Sequence, residues 1–270
     1  MIPAERQNLI VSRLTGRGVL SINELVELLG VSHMTVRRDI QLLERQGRVM
    51  SVAGGIRLPE KIVDEPSHLA KAVLAHAEKE AIGRAAAAMI EPGMVVYLDA
   101  GTTTLEIARL LAGREDIAVV TNDFVIAAFL SRQAGCRLYH TGGQVERENH
   151  SCVGEPAADA IRRFNFDIAF ISTSSFGMRG VSTPSENKVA VKRAIAQSAT
   201  RSILVTDSSK YGRIGTFNAV PLEALSAIVT DPGLPETVCA AIRQRGIALH
   251  IAAPPNLVVR AEPTREKTPA

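Results

Sequence analysis

From residue 94 to residue 251 the chain alternates between two patterns. Apolar runs occur at 94–98, 117–120, 137–139, 167–172, 202–206, 226–230 and 247–251. Helical periodicities lie between them, near 103–112, 123–133, 155–164, 186–199 and 233–244. Short, nearly continuous apolar runs suit strands buried on both faces. Strands that alternate with helices build a mostly parallel sheet covered on both sides, so the fold class is α/β. In such sheets ligands bind outside the carboxyl ends of the strands. An alanine-rich helix from Ser67 to about Ile90, stopped by Pro92-Gly93, is expected to precede the first strand.

The first 57 residues follow another plan. A helix over about 4–15 has an apolar face of Leu9, Ile10, Val11 and Leu14. At SINE (21–24) Ser21 caps a second helix while Glu24 reaches back, as in a capping box; Leu25, Leu28 and Leu29 form its stripe. Gly30 closes that helix, and Ser32 caps a third that runs through about Arg45. RVMSVAGGIRL (48–58) then reads as a hairpin turning at Gly54-Gly55. The resulting division is a winged helix-turn-helix over 1–57, a linker over 58–66, an α/β domain over 67–252, and a disordered tail over 253–270.

Charge separates the two parts. Residues 1–57 hold eight arginines, no lysine and five acids, so the net +3 of the whole chain resides in its first fifth. A basic module on a neutral body suits double-stranded DNA. With Val36, Ile40 and Leu43 turned inward, the third helix presents His33, Thr35, Arg37, Arg38 and Gln41 outward, behind its cap Ser32. Arginine there can pair bidentately with guanine in the major groove. Arg48 and Arg57 on the wing suit phosphate contacts, and Asp39 is expected to pair with the adjacent arginines of its own helix.

In the α/β part, DAGTTT (99–104) stands at a strand end and opens a helix, whose free N–H groups attract anions. Asp99, Gly101, Thr102, Thr103 and Thr104 are the candidates there. Thr121-Asn122 and Gly142-Gly143 end other strands; Lys192 and Lys210 supply counter-charge, and His140 is expected to pack rather than bind. Cys136, Cys152 and Cys239 form no C-x-x-C pair, so neither a disulfide framework, a metal site nor a cofactor is expected. No charge-free apolar stretch reaches membrane-spanning length, and the chain is expected to be cytoplasmic.

SHMTVRRDI (32–40) resembles the N-terminal signature of the DeoR family of bacterial transcription regulators, matching at Ser32, Thr35, Val36, Arg37, Arg38 and Asp39. The family's wing has His-Gly-Gly-Ala where this chain has Ala53-Gly54-Gly55-Ile56. The resemblance extends to about residue 231, through Asp99–Thr103, Thr121-Asn122, Gly142-Gly143, Val191–Arg193 and Asp207–Lys210. It implies a sensor domain resembling ribose-5-phosphate isomerase in fold and binding phosphorylated sugars. One segment departs: STSSFG (172–177) replaces a Gly-Ala-Asp-Gly-like stretch, leaving serines that cannot serve as a base. Two functions are open on this evidence. One is a repressor of carbohydrate genes, a homodimer or homotetramer controlled by a phosphorylated sugar. The other is a phosphosugar isomerase using Asp99, Glu186, Asp207 or Lys192, with a regulatory N-terminal domain; the loss of the acid favours a non-enzyme.

Overall fold

The computed structural model describes residues 1–52 and 54–254; Ala53 and residues 255–270 of the expected tail lie outside the described residues. The chain opens with α1 (Pro3–Arg17), β1 (Val19–Ser21), α2 (Ile22–Leu29) and α3 (His33–Arg45), followed by β2 (Met50–Val52) and β3 (Gly55–Arg57). The capping box forms as read: Glu24 N donates to Ser21 Oγ at 3.2 Å, and Ser21 N donates to Glu24 Oε2 at 2.8 Å. Gly30, at φ 61°, ends α2 in the left-handed conformation that glycine adopts without a Cβ clash. The hairpin gains a third antiparallel strand, β1, giving the order β1-β3-β2. Ile10, Leu14, Leu25, Val36, Ile40, Leu43 and Ile56 close the core of this module.

Next come β4 (Glu60–Ile62), α4 (His68–Val73) and α5 (His76–Ala87). They lead into β5 (Val95–Leu98), α6 (Thr102–Arg109), β6 (Ala118–Thr121), α7 (Phe124–Gln133) and β7 (Arg137–His140). A short hairpin, β8 (Gln144–Glu146) and β9 (Ser151–Val153), precedes α8 (Glu155–Ile161) and β10 (Phe166–Ile171). After β11 (Ser175–Gly177) and β12 (Gly180–Thr183) come α9 (Glu186–Ser198) and β13 (Ala199–Val205). The chain continues through β14 (Arg213–Gly215), β15 (Phe217–Val220), β16 (Ala227–Thr230), α10 (Glu236–Gln244) and β17 (Ala248–Ile251).

Seven of these strands form one parallel sheet, ordered β17-β16-β13-β10-β5-β6-β7. Strand alternation sends Ile168 and Phe170 into one core, with residues of α5, α6 and α7, and Ala169 and Ile171 into the other, with α8, α9 and α10. The chain enters at β5, builds outward to β7, then crosses to β10 on the other side of β5. Strand order therefore reverses between β5 and β10, and the crevice lies at their carboxyl ends.

Two expectations are corrected. The helix expected from Ser67 to Ile90 is broken into α4 and α5, with Ala75 left-handed at φ 49°. Alanine content favours one helix, but the buried Lys79 ammonium accepts the break by donating to the freed carbonyls of Lys71 and of Leu74, the latter at 2.6 Å. The stretch 58–66, expected as a linker, is a structured connector. Its β4 pairs in parallel with β14, Glu60 opposite Arg213 and Ile62 opposite Gly215, so its backbone groups are satisfied by the α/β domain. The two modules also share side chains: Met50 of β2 joins the α/β core and lies over Gly212. Gly212 has φ 77°, which favours glycine, and a Cβ there would fall 1.9 Å from Met50 Sδ, so any side chain would force Met50 to shift.

Replacing Met50 with alanine should leave a cavity in this shared core and destabilise the chain by about 2–5 kcal/mol. Urea unfolding measures the change; an effect no larger than that of an exposed substitution would show that the contact contributes nothing.

Candidate functional site

Two surfaces collect the candidate residues. On α3, Val36, Ile40 and Leu43 are buried, and His33, Arg37, Arg38 and Gln41 are exposed. Ser32 Oγ accepts from Thr35 N at 3.3 Å and lies 3.1 Å from Thr35 Oγ1, while His33 Nε2 lies 3.2 Å from Asn23 Oδ1 of α2. Asp39 does not pair with Arg37 or Arg38. It is buried, and its carboxylate accepts from Arg6 Nε at 2.7 Å, Arg6 Nη2 at 3.3 Å and Gln7 Nε2 at 3.2 Å. The reason is helical phase: Asp39 lies three residues after Val36 and beside Ile40, on the inward face, whereas neighbours one or two apart diverge. Asp39 thus fixes α3 against α1 while both arginines stay outward. Arg48 Nη2 donates to Asn8 Oδ1 at 3.1 Å, and Arg57 is half-buried on the wing. Arg37 and Gln41 also line a cleft shared with Thr237, Ala241 and Gln244 of α10, so the exposed face of α3 lies beside the α/β domain.

The second surface is the crevice at β5 and β10. Asp99, following β5, is buried, and its Oδ2 accepts from Lys192 Nζ at 2.6 Å and Ser172 N at 3.1 Å. Lys192 also donates to the Ser172 carbonyl at 2.7 Å, which ties α9 to both strand ends. Asn122 Oδ1 accepts from Ala100 N at 3.1 Å and from the Tyr97 hydroxyl at 3.0 Å. A Cβ on Gly101 would stand 3.0 Å from the Ser172 side chain, so glycine lets the DAGTTT turn approach β10. No side chain caps the N-terminus of α6, and Thr102 and Thr103 line the cleft in front of it.

The structure brings Asp99, Gly101, Thr102, Thr103, Asn122, Lys192 and Lys210 together around one cavity. It does not bring in the other four. The Thr104 hydroxyl is buried, 2.6 Å from the Asp99 carbonyl oxygen and 2.8 Å from that of Gly101. The Thr121 hydroxyl donates to the Leu98 carbonyl at 2.7 Å and accepts from Asp123 N at 3.1 Å. Both hydroxyls hold the strand ends instead of facing the cavity. Gly142 N donates to His140 Nδ1 at 3.1 Å, Gly143 packs against Ala157, and neither lines the cavity. His140 stacks on Phe124 with ring centroids 4.8 Å apart, a packing role.

Glu65, Lys71, Lys188, His68 and Asn149 line the cavity without having been singled out from the sequence, and Ser174 of the STSSFG segment lines it with them. Glu65 Oε2 accepts from Lys188 Nζ at 2.8 Å and Lys71 Nζ at 3.4 Å; Oε1 accepts from Ser174 Oγ at 2.9 Å and Thr183 Oγ1 at 3.4 Å. Lys188 also pairs with Glu146 at 2.9 Å, Lys210 with Asp207 at 3.2 Å, and Lys71 donates to Asn149 Oδ1. Burial alone would raise the Glu65 pKa, but the Lys188 and Lys71 ammonium groups outweigh it and hold the carboxyl at about 2. Burial pulls Lys71 below its ordinary value; for Lys188 burial is outweighed by Glu65 and Glu146, which raise it. His68 is buried and stacked on His150, and its Nε2 has no hydrogen-bond partner among the described residues. One sequence signal could have found Lys188: it precedes Lys192 by one helical turn, so the two share a face of α9. Glu186, by contrast, is exposed and outside the cavity, and the Asp99 carboxylate is fully engaged.

Among the described residues no cluster of His, Cys, Asp and Glu could hold a metal, and no helix is long and apolar enough to cross a membrane.

A regulator that reads DNA with one module and a small molecule with the other is the class these two surfaces define. Residues 6–62 match the DeoR-like helix-turn-helix domain, and residues 74–232 match the DeoR C terminal sensor domain. The chain belongs to the DeoR family of transcription regulators. It is 51% identical over 251 residues to an uncharacterized HTH-type transcriptional regulator of Haemophilus influenzae, covering 93% of this chain and 98% of that one. It is 31% identical over 252 residues to the glycerol-3-phosphate regulon repressor of Escherichia coli, covering 93% of this chain and all of the relative. A solved ribose 5-phosphate isomerase A from Methanocaldococcus jannaschii aligns with a TM-score of 0.36 at 16% identity, over 49% of this chain and 53% of that one.

Because the folded pKa of Glu65 lies below its ordinary 4.5, its stabilisation is complete above about pH 4.5 and is lost as pH falls toward 2. Between pH 7 and pH 3 the wild type should lose on the order of 2 kcal/mol more than Glu65→Gln. Denaturant unfolding at the two pH values measures this; parallel acid profiles would show that Glu65 is not held ionised by the lysines.

Proposed function

We propose that this chain is a repressor of carbohydrate-metabolism genes in the cytoplasm, released from operator DNA by a phosphorylated sugar or related metabolite. The observation that carries the reading is the cleft at the β5–β10 reversal. An uncapped helix N-terminus there faces lysines from α4, α9 and the 207–212 turn, among hydroxyl and amide groups and the lysine-paired carboxylates of Asp99 and Glu65. Such a cleft suits a phosphate at the start of α6 and hydroxyls along Asn122, Asn149 and Ser172. The Escherichia coli relative, whose name carries a phosphorylated metabolite and the word repressor, agrees with this reading.

On the DNA side, Arg37 and Arg38 are the base-reading candidates. Ser32, His33, Thr35 and Gln41 flank them, and Arg48 and Arg57 contact the backbone. Two-fold operators require two copies of α3 about one helical turn of DNA apart, hence a homodimer or homotetramer. The effector must bind the DNA-released arrangement more tightly, and by linkage DNA must weaken effector binding by the same factor.

Arg37→Ala with Arg38→Ala should lower affinity for genomic fragments selected by the wild-type protein by at least about tenfold, since each bidentate pair contributes about 1–3 kcal/mol. Circular dichroism should be unchanged. Retention of those fragments at wild-type affinity would remove α3 from the interface. In parallel, a thermal-shift screen of sugar phosphates should raise the melting temperature of the wild type, with a smaller rise in Lys192→Met. A flat response to every phosphorylated compound would argue against a metabolite sensor.

A further inference from the structure

The charges around the cleft balance. Lys71, Lys188, Lys192 and Lys210 face it, and each is already paired: Lys192 with Asp99, Lys210 with Asp207, Lys188 with Glu65 and Glu146, and Lys71 with Glu65. Four ammonium groups meet four carboxylates. An anionic effector entering this arrangement finds no net positive charge from the side chains, although the family fold exposes a helix N-terminus to it.

Three of the four carboxylates belong to the sensor domain. Asp99 and Asp207 are buried at the ends of β5 and β13, and Glu146 lies on β8. Glu65 differs: it comes from the connector between the two modules. Its carboxylate is bound by donors from four places, Lys71 on α4, Ser174 after β10, Thr183 on β12 and Lys188 on α9. These donors were brought together by the sensor fold and converge on two oxygens, which is the geometry of an oxyanion receptor. His68, buried and stacked on His150, also lines the cavity, and its Nε2 has no hydrogen-bond partner among the described residues. Just upstream of Glu65, Glu60–Ile62 is β4, held to the sensor domain by β14. The Glu60 amide donates to the Gly212 carbonyl at 2.9 Å, and Gly212 is the residue on which Met50 of the wing rests.

We propose that Glu65 is an internal anion that fills an oxyanion receptor made by Lys71, Lys188, Ser174 and Thr183, and that the anionic effector takes this receptor by expelling the Glu65 carboxylate. Expulsion frees the 60–65 connector from β14 and loosens the wing from Gly212. Two oxyanions cannot share the receptor, because like charges side by side repel and only one set of donors is present. With Glu65 withdrawn, the cleft gains one positive charge at the moment an anion arrives. The proposal rests on the effector cleft proposed above and assigns it a regulatory device: the ligand competes with a residue of the connector, and the connector carries the DNA-binding module.

The test uses the full chain and inorganic phosphate as the probe. Isothermal titration should show Glu65→Gln binding phosphate about tenfold more tightly or better than the wild type, because the competing charge is gone. Hydrogen exchange of the wild type should slow around Ser174 and Thr183, whose hydroxyls belong to the receptor the phosphate takes, and speed up at Glu60–Ile62 as β4 leaves β14. Equal phosphate affinity in the two proteins, or slower exchange at Glu60–Ile62 with phosphate bound, overturns the displacement and leaves the cleft an anion site. Phosphate binding to neither protein overturns the effector cleft and the displacement together. Should Glu65→Gln fail to fold, the exchange experiment on the wild type decides alone.

Discussion

The Lys192 ammonium makes the bond on which the sensor fold turns. Strands β5 and β10 stay paired through Leu98 and Phe170, and beyond them the chain leaves in opposite directions, so the loops that follow must be held together at a fixed width. Lys192 does so from α9, donating to Asp99 on one side and to the Ser172 carbonyl on the other. Removing one partner of a buried, hydrogen-bonded pair leaves the other charge unpaired and typically costs about 3–5 kcal/mol. Asp99 in turn orders the DAGTTT turn through Ala100 N at 2.9 Å, and Ser172 receives the bare Cα of Gly101. The open N-terminus of α6 is positioned by this pair, so its first role is to build the site.

That role also clarifies the segment STSSFG. Its serines do not leave the site without acids: Ser172 is bonded to Asp99, and Ser174 is bonded to Glu65. A carboxylate stands beside the end of β10 after all, supplied from more than a hundred residues upstream. It is bound by two lysines and two hydroxyls, the setting of a stabilised anion and not that of a base waiting for a proton.

Local sequence revealed what local physics determines. Apolar runs located the strands of the parallel sheet; Ser21, Glu24 and Gly30 located the ends of α2; and the phase of Val36, Ile40 and Leu43 located the outward arginines. The exceptions depend on partners that local patterning does not register, some distant in sequence and some only a few residues away. Asp39 reads as a neighbour of Arg37 and Arg38 until α1 brings Arg6 to it. Residues 67–90 read as one helix until Lys79 turns back onto the carbonyls at the break. Thr104 and Thr121 carry hydroxyls that suit a ligand, yet backbone carbonyls within a few ångströms claim them first. Glu65 sits in a stretch without periodicity, and only the pairing of β4 with β14, some 150 residues apart, brings it to the cleft.

That pairing bears on how the two modules can be exchanged. A sequence-based boundary would cut this regulator in the polar, proline-bounded stretch 59–66 and graft its DNA-binding part onto another sensor. In the folded chain that stretch is a strand and an ion-pair partner of the sensor, while Met50 of the wing is seated in the sensor's own core. The inheritable unit of DNA recognition therefore ends before β4 in chemistry but not in mechanics. A transplanted reader head would keep its specificity and lose its instruction, unless β4, Glu65 and the Met50–Gly212 seat travelled with it.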